Sequence, residues 1–408
     1  MLNLNIALSI FILSFGIITT IKAITKKKPM LLIFCVFFTI YLSLRPVLLA
    51  LGYYNIYAYL NKSIDDYSED GLMICLLYTL LSFLIFLLVY SRTKKTFKIS
   101  RSDGSNDISV NSKINVFHFL QVILLVLSLT ILPFYICFVF ILCLMFYNII
   151  NFKRFGIYSN LLLCLFYYIL LMFMLYFLSD DRRDWLVAIG APIYIYLFVY
   201  MKSVVKIIIP GVLGLLLLIY VSVAFRSGGN IFNIDAVKDR AESIQSTLVV
   251  LEVETDFSIV YDDYLLLFDD RYSSVDYLYG LTLVKPFISF IPRELLPDKP
   301  ETSSRLFPKY FNPPFYSVGG SEPVTLFGEL YWNFSYFSLV IYAALGYLLG
   351  LIDNTYLRNK NNLLYSSLVL SLSLTGFHLL RGPIDSFFFI YLWLALSYYA
   401  LKITQRLR

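Results

Sequence analysis

The chain has 408 residues, 59% of them hydrophobic and 18% aromatic, with a mean hydropathy of +0.75. Soluble domains carry about 45–50% apolar residues, so this composition excludes one water-exposed core and predicts an all-α polytopic membrane protein. A net charge of +6, from 33 Lys/Arg and 27 Asp/Glu, is dispersed in short groups between apolar runs, and nothing in it calls for a nucleic-acid partner.

In chain order, apolar runs long enough to cross a hydrocarbon layer lie near 3–22, 30–51, 71–90, 116–132, 134–151, 157–178, 185–201, 207–225, 335–353, 363–380 and 386–402. The first lacks a basic leader and an Ala-x-Ala cleavage site, and Lys22 and Lys26-Lys27-Lys28 follow it, so it reads as a retained span. Threading the runs alternately places Lys26–Lys28, the Arg92–Arg101 group, Lys153-Arg154, Lys202/Lys206 and Arg358/Lys360 on one side. Cytoplasmic loops are the ones enriched in Lys and Arg, so the expected topology is eleven spans, N-terminus out and C-terminus in. Treating 116–151 as one tilted span would invert every later loop and turn Lys153-Arg154 outward, against the charge pattern.

This threading divides the chain into an N-terminal bundle (1–225, about eight spans), a large outward-facing loop (226–334) and a C-terminal bundle (335–408, about three spans). The loop is too long for a connector and too rich in Tyr, Phe and Leu for disorder. Phe257, Tyr261, Tyr264, Leu265 and Phe268 recur at helical spacing and predict an amphipathic helix lying on the bundle or the membrane surface. Leu281–Ile291 is too short to span and contains Pro286, so it reads as an interfacial or re-entrant piece.

Candidate chemistry gathers where spans meet the outward side. Arg182, Arg183, Arg226 and Arg381 stand at span ends, and Arg293 lies in the loop. A guanidinium offers paired donors that suit phosphate oxygens, and a converging set would hold a diphosphate headgroup. The competing reading is that these arginines snorkel to lipid or pair with Asp180, Asp181, Asp184 and Asp385. Glu329 stands just ahead of the next span, where a partly buried carboxylate serves either as general base or as an arginine's partner. His378 lies three residues before Arg381 on the same helical face, while His118 reads as structural or interfacial. Arg45, inside the second span, either binds substrate or holds the bundle together. Glu322, Lys299 and Tyr331 complete the expected substrate-binding set, the tyrosine as one of many rings able to face a sugar. The five cysteines all lie in apolar runs and only two histidines exist, so neither a disulfide framework nor a dedicated metal site is expected. Nothing matches a nucleotide-phosphate loop or a serine-nucleophile elbow.

Three stretches carry a family resemblance: Asp181-Arg-Arg-Asp-Trp185, Ile291-Pro-Arg-Glu-Leu-Leu-Pro-Asp-Lys-Pro300, and Phe327-Gly-Glu-Leu-Tyr-Trp-Asn-Phe334 leading into a glycine-containing span. With many spans and one late outward loop, the chain resembles the O-antigen and capsule repeat-unit polymerases, the Wzy family. The resemblance implies a GT-C-like helical glycosyltransferase in the bacterial inner membrane that needs neither cofactor nor metal. Its substrates would be undecaprenyl-pyrophosphate-linked oligosaccharides as donor and acceptor, and its partners a chain-length regulator and a flippase. It further implies that Arg182 or Arg183, Arg226, Arg293 and Arg381 stabilise the leaving pyrophosphate, and that Glu329 or His378 takes the acceptor proton. Two other functions compete with it. An O-antigen ligase would use the same donor, and a lipid-linked oligosaccharide flippase would show repeated halves, of which the sequence gives no clear sign.

Overall fold

The computed structural model describes residues 2–50, 68–96, 134–179, 182–201, 214, 216, 220, 257–269, 275–288, 291–292 and 294–384, and among them all regular structure is helical. In chain order these are α1 (Leu2–Thr25), α2 (Pro29–Phe37), continued by a π-helical stretch (Phe38–Ser43) into α3 (Leu44–Ala50), and α4 (Glu69–Arg92). Then come α5 (Phe134–Phe155), α6 (Tyr158–Leu178) and α7 (Arg182–Ile195), the last ending in a π-helical stretch (Tyr196–Tyr200). The expected loop supplies α8 (Phe257–Leu266), α9 (Leu281–Ile288), α10 (Ser303–Phe311), α11 (Pro313–Ser317) and α12 (Leu326–Phe334). Finally, α13 (Ser338–Arg358) and α14 (Leu363–Arg381) close the described chain.

Seven stretches are long and apolar enough to cross a membrane: Leu4–Thr25, Pro29–Leu49, Glu69–Arg92, Phe138–Phe155, Tyr158–Leu178, Leu326–Arg358 and Leu363–Arg381. The protein is therefore a membrane-embedded helical bundle, with seven such stretches among the described residues. The run expected at 185–201 is a shorter apolar helix, Asp184–Tyr200, with Pro192 inside it. The spans expected at 116–132 and 386–402, and nearly all of 207–225, lie outside the described residues.

One of the seven is not a straight rod. The Phe327 and Tyr342 rings stack with centroids 4.8 Å apart. On a continuous helix fifteen residues would separate them by roughly 22 Å. The reversal occurs at the C-cap of α12, where Ser335 takes φ +48, and a 3-10 turn (Ser335–Phe337) leads into α13. So α12 folds back beside α13 as a hairpin, with Leu326–Asn333 all buried and Phe327 within 5.8 Å of the Phe34 ring. The end of the expected outward loop is thus part of the bundle.

Helix α8 also enters the bundle instead of lying on its surface. Its residues from Ile259 to Leu266 are buried. Tyr264 and Thr79 share a 2.9 Å hydrogen bond, and Arg45 meets Asp262 through two contacts of 3.1 Å. Both members of this ion pair are almost fully enclosed, so Arg45 ties the second span to α8. The tight seam between α13 and α4 rests on small residues in a Gly-x-x-x-Gly spacing, Gly346 and Gly350. A Cβ at Gly346 would collide with the Phe86 carbonyl, and one at Gly350 would come within 3.1 Å of the Tyr90 carbonyl.

The lysine-rich connections meet at one end. Lys27 donates to the Leu197 and Met201 carbonyls, where the chain after α7 leaves its helix. Arg154 donates to the Asn361 carbonyl at 2.8 Å and Arg358 to the Thr96 hydroxyl at 2.6 Å. Burial, and then the neighbouring charges of Lys153 and Lys360, hold the Lys27 ammonium below its ordinary pKa. At this end Asp353 of α13 accepts from the Met30 and Leu31 amides, each at 3.0 Å, and from the Tyr90 hydroxyl at 2.6 Å. It thereby satisfies N–H groups that the first turn of α2 cannot bond internally.

Candidate functional site

At the opposite end, three helices bring ionisable side chains together, and the α6–α7 connection adds a hydroxyl. The α6–α7 connection and α7 supply the first pair. Ser179 donates to Asp184 Oδ2 at 2.6 Å, and Asp184 Oδ1 lies 3.5 Å from His378 Nε2 on α14. Asp184 and His378 are each 1% exposed. Three residues beyond His378, half-buried Arg381 ends α14. There Gly382, at φ +83, caps the helix by donating to the His378 and Leu379 carbonyls. Only a residue without Cβ fits, because a side chain there would strike the Val324 carbonyl. That packing presses the turn against the start of α12, where the Thr325 hydroxyl caps the Gly328 amide at 3.0 Å. Glu329, one turn into α12 and fully buried, then accepts from the Ile384 amide at 3.0 Å.

Of the residues predicted from sequence, Glu329, His378 and Arg381 therefore converge on the end of α14. Arg182 and Arg183 open α7, immediately before Asp184, and their side chains lie outside the described residues. Arg226 and Arg293 also lie outside them. Three others have different surroundings. Glu322 is buried in the unit formed by α10 and α11, accepting from the Asn312 amide group at 2.8 Å while its own amide donates to Ser304. Tyr331 stacks on Phe268 at 4.2 Å and meets Tyr78 edge-on, so it is a packing residue rather than an open platform for a sugar. The Lys299 ammonium donates to the Ile291 carbonyl at 3.1 Å, closing its own loop.

Comparison with protein-family models, curated proteins and solved structures returned no match.

Asp184 and Ser179 are the residues that sequence reasoning undervalued. Asp184 reads there only as a counter-charge for the adjacent arginines. A usable signal existed: an acidic residue at the start of an apolar helix, in a chain with a single histidine near the same side. Chemically, a carboxylate beside an imidazole fixes the ring's orientation and its tautomer. Ionisable groups enclosed in a membrane bundle are costly, which makes this group the candidate site. Among the described residues, no three His, Cys, Asp or Glu side chains form a metal-holding group.

Proposed function

We propose that the chain is a polysaccharide polymerase that joins lipid-linked oligosaccharide repeat units at the outer face of the bacterial inner membrane. The observation that carries this reading is the gathering of His378–Asp184, Arg381 and Glu329 at the end of the bundle opposite the lysines. The lysine-rich end faces the cytoplasm by the positive-inside rule, which puts the cluster on the outer side.

In the reaction the acceptor sugar's hydroxyl oxygen attacks the donor's anomeric carbon. The new C–O bond forms as the bond from that carbon to the diphosphate breaks, and the lipid diphosphate leaves with the electron pair. His378 takes the hydroxyl proton, oriented by Asp184, which Ser179 steadies in turn. Arg381 meets the charge that develops on the departing diphosphate, with Arg182 and Arg183 opening the adjacent helix. Glu329 has a bond to the Ile384 amide that favours a role in holding the 381–384 turn over one in proton transfer. The substrates on this reading are undecaprenyl-pyrophosphate-linked oligosaccharides, in a GT-C-like helical frame, and the partners are a chain-length regulator and a flippase.

A deletion strain tests this. Loss of the protein should leave single repeat units on the surface lipid, restored to long chains by the wild-type gene but not by Arg381→Ala at equal protein level. Surface lipid without glycan and an excess of long lipid-linked chains would instead identify a ligase, and units trapped inside the cell a flippase.

A further inference from the structure

A groove of about 380 Å³ runs between α2, α13 and α14, with α12 at one end. Its walls include Ile33, Leu349, Leu368, Leu372 and Gly376, and every residue that lines it is apolar. Water in such a space would find no partners, and a polar ligand would lose its hydrogen bonds. The groove lies within helices that cross the membrane, and its rim residue Leu348 is 49% exposed. Its surroundings are therefore hydrocarbon.

Two facts give the groove a direction. Along α14 it extends from Leu368 to Leu380. Twelve residues of helix rise about 18 Å, more than half of a hydrocarbon layer roughly 30 Å thick. Its upper end is formed by Leu326, Leu379 and Leu380, so Arg381 is the next residue along α14 and Glu329 is one helical turn on from Leu326. A chain lying in the groove with its head upward delivers that head to the arginine.

We propose that this groove holds the hydrocarbon chain of the lipid diphosphate substrate, an assignment that rests on the polymerase reading above. A long isoprenoid chain in the groove fixes the height and direction of the diphosphate. Groove and bilayer are equally apolar, so the groove contributes close packing and orientation rather than a hydrophobic driving force, and the polar groups are left to distinguish ground state from transition state.

Purified protein and a long-chain isoprenoid diphosphate carrying a photoreactive diazirine mid-chain provide the test. Cross-links are expected in 345–352 and 368–376, competed away by unlabelled isoprenoid diphosphate and not by phosphatidylglycerol. Leu372→Trp, which fills the groove, should cut labelling about tenfold and raise KM about as much for a long-chain carrier, with little change for a short-chain one. Cross-links elsewhere in the chain, or equal competition by phosphatidylglycerol, would overturn the assignment. The two readings fail separately. Polymerisation by wild-type protein without groove labelling removes only the groove, whereas labelling without polymerisation keeps the lipid site and removes the polymerase.

Discussion

His378 and Asp184 lie 194 positions apart in the chain and 3.5 Å apart in the fold. If the carboxylate orients the imidazole, Asp184→Asn should lower kcat while KM holds, and His378→Ala should lower the rate of chain elongation by about 100-fold or more. Assays of both variants with purified protein check this, and wild-type kcat in Asp184→Asn would remove the orienting role. Arg45 makes a prediction about stability. It forms a two-point contact with Asp262 in a nearly closed site, so Arg45→Ala removes both of those contacts from a buried carboxylate. The expected cost is about 3–5 kcal/mol, and Arg45→Met with Asp262→Leu should recover most of it. Thermal unfolding in detergent measures both. At this scale the sequence disclosed which side chains were unusual but not what they touch. Arg45 was legible as a charge needing a partner, whereas Asp262 looked like one more acidic residue of an outward loop.

Hydropathy located most of the long helices to within a few residues, because a segment that crosses hydrocarbon must be apolar throughout. It misread the elements whose packing comes from the rest of the chain. Helix α8 shows an apolar stripe that suits a membrane surface, yet its polar face is buried as well, carrying Asp262 and Asp263 into the bundle. Helix α12 reads as the last stretch of a loop because distance along the chain suggests an approach to the next span from outside. The reversal at Ser335 sends it the other way, and this is why Glu329 is fully enclosed rather than interfacial. The α4–α13 seam yields a test of element packing. Gly346→Leu should clash with the Phe86 carbonyl and destabilise the bundle by about 3 kcal/mol, the upper end of the overpacking range. Gly350→Ala, whose nearest contacts are 3.0–3.2 Å, should cost less. Equal unfolding temperatures for wild type and Gly346→Leu would show that the seam is looser than described.

Across the whole molecule, charge and fold agree on a two-ended bundle. Lys26–Lys28, Thr93–Thr96, Lys153-Arg154, Met201 and Arg358–Asn361 are tied to one another at one end by hydrogen bonds and cation–ring contacts. Alternating threading had put those same connections on one side. The sequence could show this because loop charge is a local property that survives any packing. The meeting of α7, α12 and α14 at the other end is not local, and single positions pointed to Glu329, His378 and Arg381 but not to Asp184 as the partner of His378. The orientation is testable directly. A cysteine at Val318, which is 78% exposed, should react with a membrane-impermeant maleimide in intact cells stripped of their outer barrier, and a cysteine at Lys360 should react only after permeabilisation. The reverse pattern would put the His378 cluster in the cytoplasm.

The most direct measurement is reaction of the purified protein with a chemically defined undecaprenyl-pyrophosphate-linked repeat unit, followed by separation of the products by length. Wild-type protein should build a ladder of lengthening chains and release undecaprenyl pyrophosphate in step with each bond formed, while folded Arg381→Ala and His378→Ala should leave the unit unconverted. Ladders of wild-type length and rate from both variants would contradict the assignment of glycosyl transfer to this end of the bundle.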